Sequence, residues 1–332
     1  MDKHILKVLL FSVCIGVMIS GCFNRKNQQY NLEINQNYVD YNDNYEYIHN
    51  NNRIHIYNKT FNTFTTIKED NILCVSNVEN VLYYVCRTKD EYLIKREDDN
   101  NVEIIYHIPL QNIDWCIICQ KKLYVYTDES LYVIDLECKS SELIADKVNA
   151  QFLSVNDNSI YYSENVVNMI VDDSGFIDNI TEAYLGQRIN KINIETRKVS
   201  NIFSKIEKGN IYYVTQVLAC YNGVLFYISE DNSYTKNIIF IDNDSNIRLL
   251  KSNITTDIDY LATDEKFVYY TDSKEKKIFS INIENNKSSE ILNYQNYDIK
   301  DVLGITSNNI YLKDIRENIL QYNIFTKTIT VL

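Results

Sequence analysis

Residues 277–292 read KIFSINIENNKSSEIL, and residues 188–203 read RINKINIETRKVSNIF. The same shape returns at 130–144 (SLYVIDLECKSSELI), at 318–332 (NILQYNIFTKTITVL) and at 53–67 (RIHIYNKTFNTFTTI). Each copy is an apolar run, a polar turn with Asn or Asp at the join, and a second apolar run. β-Branched and aromatic residues fill the runs, and Asn, Asp, Thr and Lys fill the turn, which is the pattern of a β-hairpin.

Upstream of each copy stands an apolar-aromatic step: Leu82-Tyr83, Leu123-Tyr124, Ile160-Tyr161, Leu225-Phe226, Val268-Tyr269 and Ile310-Tyr311. The aromatic positions are spaced by 41, 37, 65, 43 and 42 residues. A weaker copy, Glu46-Tyr47, lies 36 residues before Tyr83. A further short apolar run precedes each step: Ile72–Val75, Trp115–Cys119, Phe152–Val155, Ile211–Leu218, Ile258–Ala262 and Val302–Ile305. Four strands in about 41 residues are the signature of a β-propeller blade. One such sheet cannot bury both faces alone, so runs such as Phe267-Val268-Tyr269-Tyr270 require neighbouring sheets on either side. A helical solenoid would show apolar spacing near 3.6, and these segments alternate or run continuously instead.

The units fall at about 42–68, 69–107, 108–145, 146–204, 205–252, 253–292 and 293–332. The expected fold is all-β, a propeller over 43–332 with seven four-stranded blades; six or eight are the alternatives. The weak first unit borrows Leu32–Ile34 if it needs a further strand to close the ring. Asn is abundant where Gly occurs only seven times, so Asn is expected to fill left-handed turn positions.

The interval of 65 marks an insertion at about 164–186. Val166, Val167, Met169, Ile170 and Val171, then Asp172-Asp173-Ser174-Gly175, then Phe176, Ile177 and Ile180 read as a hairpin longer than the strands it joins. If it projects, it carries apolar side chains outward, and Val167, Met169, Ile170, Phe176 and Ile177 form a candidate partner surface. If it folds down, it caps the ring.

The first 21 residues read as an address, and 22–42 as a polar tether. Lys3 and Lys7 precede the mostly apolar run Val8–Ile19, which is short for a spanning helix and suits a secretory signal. Ile19-Ser20-Gly21-Cys22 resembles the lipobox of bacterial lipoproteins: an aliphatic residue, two small residues and a Cys. The resemblance implies diacylglyceryl attachment at Cys22, cleavage after Gly21 and retention at the extracytoplasmic face of the cell membrane. Two acyl chains suffice for stable anchoring.

The repeat phrase, apolar-Tyr-Tyr followed by Ile-Asn-Ile, stands at Ile160-Tyr161-Tyr162 with Ile192-Asn193-Ile194 and at Val268-Tyr269-Tyr270 with Ile281-Asn282-Ile283. It resembles bacterial extracytoplasmic propellers of the TolB-like and YWTD-like sort. That resemblance implies a binding or scaffold module. The signature pairs of WD40 and kelch repeats are absent.

The formal net charge of -12 argues against nucleic acid as a partner, because phosphate binding needs a basic footprint. Catalytic raw material is sparse. His4 leaves with the signal, and His49 and His55 flank a predicted turn, where exposure is expected. Cys116 and Cys119 have metal-pair spacing, but an odd offset in a strand points them to opposite faces, so they read as buried small apolar residues. Cys74 and Cys86 fall on adjacent predicted strands, where a disulfide is one option outside the cytoplasm. Asp242-Asn243-Asp244-Ser245-Asn246 resembles the start of a calcium loop but has Ile247 and Asn253 where Gly and an acid belong. The 28 Tyr suit sugar stacking, though strand packing accounts for most of them. No cofactor is expected; a structural calcium is the one metal left open.

The resulting expectation is a membrane-anchored, non-enzymatic platform for a protein, peptide or envelope glycan. The alternative is a propeller-type hydrolase or lyase using axial carboxylates or a calcium ion.

Overall fold

The computed structural model describes residues 39–332, apart from 42–44, 51–52, 62, 70, 99–100, 110–112, 157, 173–178, 206–211, 221, 231–234, 256–257, 259–260, 265 and 307. Seven antiparallel four-stranded sheets form a ring, a seven-bladed β-propeller, and each sheet is built from four consecutive strands.

Blade 1 is β1 (Val39–Tyr41), β2 (Tyr45–Asn50), β3 (Arg53–Asn58) and β4 (Thr63–Lys68). Blade 2 is β5 (Ile72–Val78), β6 (Val81–Arg87), β7 (Glu91–Asp98) and β8 (Asn101–Pro109). Blade 3 is β9 (Trp115–Cys119), β10 (Lys122–Thr127), β11 (Ser130–Asp135) and β12 (Ser140–Ala145). Blade 4 is β13 (Ala150–Val155), β14 (Ser159–Asp172), β15 (Asn179–Asn193) and β16 (Val199–Lys205). Blade 5 is β17 (Tyr212–Cys220), β18 (Gly223–Glu230), β19 (Lys236–Asp242) and β20 (Ile247–Ile254). Blade 6 is β21 (Leu261–Thr263), β22 (Phe267–Asp272), β23 (Lys277–Asn282) and β24 (Ser288–Asn293). Blade 7 is β25 (Ile299–Ile305), β26 (Asn309–Asp314), β27 (Ile319–Asn323) and β28 (Ile329–Val331).

The repeated aromatic step is the second strand of each blade. Tyr83, Tyr124, Tyr161, Phe226, Tyr269 and Tyr311 are all buried. These strands have a neighbouring blade against each face, which is why β6 and β10 are buried almost without interruption. The fourth strands face solvent, and β12 and β24 are mostly exposed and polar. Apolar clusters alternate with sheets around the ring, such as Val85, Ile94, Cys116 and Leu123 between blades 2 and 3. Removing that apolar surface from water, at about 25 cal/mol per Å², is what orders the sheets against one another.

The join residue of the hairpin signature has a definite task. Asn58 Oδ1 accepts from the backbone N–H of Thr60 and Phe61. Asp135, Asn282 and Asn323 do the same for the two residues that open their own turns. These are Asx turns, in which the short side chain replaces a backbone acceptor. The expected left-handed role of Asn is mostly not the one observed. Of the fifteen non-Gly residues at positive φ among the described residues, four are Asn: Asn71, Asn80, Asn253 and Asn286. Lys139, Arg197 and Lys327 take such positions in the third-to-fourth turns. Asn is used here as an acceptor.

The ring closes without exchanging a strand between its ends. Leu32 and Ile34 lie outside the described residues, and the first strand of blade 1 is Val39–Tyr41, within the stretch assigned to the tether. Closure is by side chains. Ile48 of blade 1 packs with Leu303, Tyr311 and Ile319 of blade 7. Asn309 Nδ2 donates to both oxygens of the buried Glu46 carboxylate, at 3.3 and 3.2 Å.

Candidate functional site

Two places depart from the plain ring. The first is the insertion in blade 4. β14 and β15 are 14 and 15 residues long, against six in each of the corresponding strands of blade 3. The ladder to β13 ends at Glu164, and the ladder to β16 ends at Gln187. Beyond those points β14 and β15 pair with each other as far as Asp172 and Asn179. The hairpin therefore leaves the blade at the end of the ring that carries the second-to-third turns and the blade-to-blade links.

Its root is clamped. Glu164 Oε2 accepts from Arg188 Nε at 2.9 Å and from Asn190 Nδ2 at 2.6 Å. Gln187 is buried; its Nε2 donates to Asn165 Oδ1, and its Oε1 accepts from the backbone N–H of Val214 in blade 5. A bulge follows between Val166 and Val167, opposite Gly186. Val167, just past the bulge, and Leu185, the extra residue within it, are exposed. Met169 and Ile170 lie in β14, while Phe176 and Ile177 lie outside the described residues. The lipobox residues Ile19, Ser20, Gly21 and Cys22 lie outside them as well.

The second place is the seam between blades 1 and 7, at the opposite end of the ring. A cavity of about 390 Å³ is lined by Tyr57, Lys59, Asn308, Asn309, Gln321, Asn323, Phe325 and Thr326. Beneath it lies Glu46, whose side chain is 1% exposed. Burial holds the Glu46 carboxyl above the ordinary carboxylate range, against the lowering effects of Lys59, 3.9 Å away, and of Asn309. Asn323 Nδ2 donates to Asn309 Oδ1 at 3.3 Å, and Gln321 Nε2 donates to the Tyr311 hydroxyl at 2.9 Å. Amides, two aromatic rings and an ammonium group around one cavity suit a small polar ligand. No local sequence pattern marks this site, because Glu46 and Asn309 are separated by 263 residues.

The remaining sequence candidates fall as follows. The Asp242 loop is the third-to-fourth turn of blade 5. Asp242 Oδ1 accepts from the backbone N–H of Asp244 and Asn246, and Oδ2 accepts from Asn246 Nδ2. The Asn246 contact leads the bonds that lower the Asp242 carboxyl below its usual range. The loop thus donates to its own acid, and Asp314 and Asn318 repeat the arrangement in blade 7. No group of three or more His, Cys, Asp or Glu arranged to hold a metal ion occurs among the described residues. Cys116 and Cys119 point to opposite faces, as their offset requires. Cys74 and Cys86 do not meet. Cys74 stands opposite Val85 and Cys86 opposite Ile72, on opposite faces of the sheet.

His49 and His55 are buried, contrary to the exposed positions expected of residues beside a turn. β2 and β3 are covered by blades 2 and 7. His55 Nδ1 is 3.0 Å from Thr66 Oγ1, and the ring stacks on Phe64. Burial, with Arg53 and His49 nearby, pushes its pKa from 6.5 down to about 4. The unfolded chain therefore binds a proton that the folded ring refuses. Stability from this group is lost as pH falls from 6.5 toward about 4, by roughly 1–2 kcal/mol after allowance for solvent screening. Glu46 acts in the opposite sense. His55→Gln should remove the His55 contribution alone, so the wild-type thermal midpoint should fall more steeply on acidification from pH 6.5 toward 4 than that of the variant. Parallel pH profiles would count against it.

No protein-family model and no curated protein sequence matches the chain. The structure is similar to that of oligogalacturonate lyase in complex with manganese, with a TM-score of 0.56 and 12% identity over 84% of this chain and 81% of that one. It is similar to a catalytically inactive virginiamycin B lyase from Staphylococcus aureus with quinupristin, at 0.55 and 14% over 85% and 92%. Kluyveromyces lactis Hsv2 gives 0.54 and 11% over 89% and 97%. The chain spans about half (51%) of Porphyromonas gingivalis dipeptidyl peptidase 4 and a third (33%) of the tricorn protease, which it also resembles. At identities this low the likeness is one of fold.

Proposed function

We propose that the chain is a membrane-anchored extracytoplasmic lipoprotein whose propeller is a non-enzymatic platform for a protein or peptide of the cell envelope. The observation that carries this reading is the blade 4 hairpin on its clamped root. A two-stranded ribbon alone is marginally stable. Here Glu164, Arg188, Asn190 and Gln187 tie its base to the rigid ring, which pre-orders a surface that has Val167 and Leu185 exposed where it begins. The lipobox sequence at Ile19–Cys22 supports the placement, and the polar residues after Cys22 supply reach from the bilayer. An envelope glycan is the small-ligand form of the same reading, and the amide-lined seam cavity supports it.

In-cell crosslinking of the full chain, followed by mass spectrometry, tests the platform. The expected result is one envelope protein captured reproducibly through residues of the hairpin. Capture spread over the ring, with no preferred partner, would count against it. For the anchor, Cys22→Ala should move the protein from the membrane fraction to the soluble fraction or leave an unprocessed precursor. Unchanged lipid labelling of that variant would refute the lipobox.

A further inference from the structure

Cys74 lies in β5 and Cys116 in β9, the first strands of blades 2 and 3. Register places Cys74 on the face shared with Val85, and both belong to the apolar cluster that joins the two blades. Cys116 enters that cluster from the other side, beside Ile118. The two side chains are 2% and 1% exposed. The Cys116 thiol donates to Cys74 Sγ at 3.6 Å. Two thiols thus touch across a blade interface, on rigid strands 42 residues apart in sequence.

We propose that Cys74 and Cys116 close into a disulfide that staples blade 2 to blade 3. This rests on the extracytoplasmic reading only for the supply of oxidant. The oxidant is a small or protein-borne disulfide. One cysteine thiolate attacks it, forming a mixed disulfide and expelling one thiol. The second cysteine then attacks the mixed disulfide, closing Sγ–Sγ and expelling the other. Each cysteine gives up one proton and one electron, and the oxidant is reduced to two thiols.

Timing follows from burial. Removal from water pushes the Cys74 thiol well up, and the neighbouring Cys116 adds to this. Thiolate is the reactive form, so a fully packed reduced ring is a poor substrate for oxidation. The bond therefore forms while the blades come together. Cys86 and Cys119 face away from this interface on the same two blades, and Cys138 is exposed in the third-to-fourth turn of blade 3.

The test uses the full chain, unfolded and reduced, then refolded in a mixture of reduced and oxidised glutathione. Alkylation under denaturing conditions and peptide mapping follow. The expected result is one linked peptide pair containing Cys74 and Cys116, with Cys86, Cys119, Cys138 and Cys220 alkylated. Alkylation of Cys74 and Cys116 to the same extent as Cys86, Cys119, Cys138 and Cys220, or a link between other residues, would overturn the proposal. Cys74→Ser should abolish the link and leave Cys116 alkylated. If that variant does not fold, the wild-type map alone decides. Membrane fractionation is read separately: a protein that links on refolding but is soluble in cells defeats the anchoring proposal and leaves the disulfide standing.

Discussion

Excision of residues 166–184 is expected to abolish partner capture while the ring stays folded. The cut joins Asn165 to Leu185, so Leu185-Gly186 becomes a two-residue turn between Asn165 and Gln187, which already face each other in the ladder. Two-residue loops are the commonest hairpin closures, and Gly suits one of their positive-φ positions; Leu185→Asn would improve the other. Everything that clamps the root survives: Glu164 with Arg188 and Asn190, and Gln187 with the backbone of Val214. The predicted cost to the ring is below about 1 kcal/mol, because surface changes away from packed groups rarely exceed that. The crosslinked partner should disappear from mass spectrometry while circular dichroism and thermal midpoint hold. Retention of the partner would place recognition elsewhere, with the seam cavity next in line. Loss of the folded spectrum would mean that the hairpin is a structural cap.

Gly223→Ala should damage the fold itself, with a loss of about 3–5 kcal/mol. Gly223 opens β18, opposite Cys220 on one side and Asp242 on the other, at φ 154°. A Cβ there would lie 2.0 Å from the carbonyl oxygen of Ile241 and 2.9 Å from the Asp242 Cα. These are backbone atoms of the next strand, so no rotamer change relieves the clash. Either β18 and β19 separate at this end, or blade 5 shifts against its neighbours. Denaturant unfolding should show a lower midpoint, while Asn222→Ala, one residue away and exposed, should leave it nearly unchanged. Equal midpoints for Gly223→Ala and wild type would show that the strands give way cheaply.

The blades were legible because the propeller is nearly one-dimensional. Each unit is four consecutive strands, so its pattern is local: an apolar-aromatic second strand buried on both faces, and an Asx residue that caps its own turn. The blade 4 insertion was visible for the same reason, as an excess in one interval. One expectation failed and one option closed where locality ended. His49 and His55 looked exposed because they flank a turn, yet the neighbouring sheets that bury them come from elsewhere in the chain. A Cys74–Cys86 disulfide was one option because the strands are adjacent; register sends the two to opposite faces, and the sulfur that meets Cys74 comes from the next blade.

The sequence by itself determined the all-β class, a repeat of four-stranded units counted as seven with six or eight as alternatives, the long hairpin, and an N-terminal pattern that resembles a lipobox. Those depend on which residues follow one another within some 40 positions. Only the tertiary structure decided what lies between blades: the seam joined by Glu46 and Asn309, the cavity above it, the burial of the histidines and the contact of Cys74 with Cys116. Strand pairing within a blade follows from short-range pattern and turn chemistry. The packing of one blade against the next is set by which face each side chain takes after every bulge and turn, and a one-residue shift reverses that face.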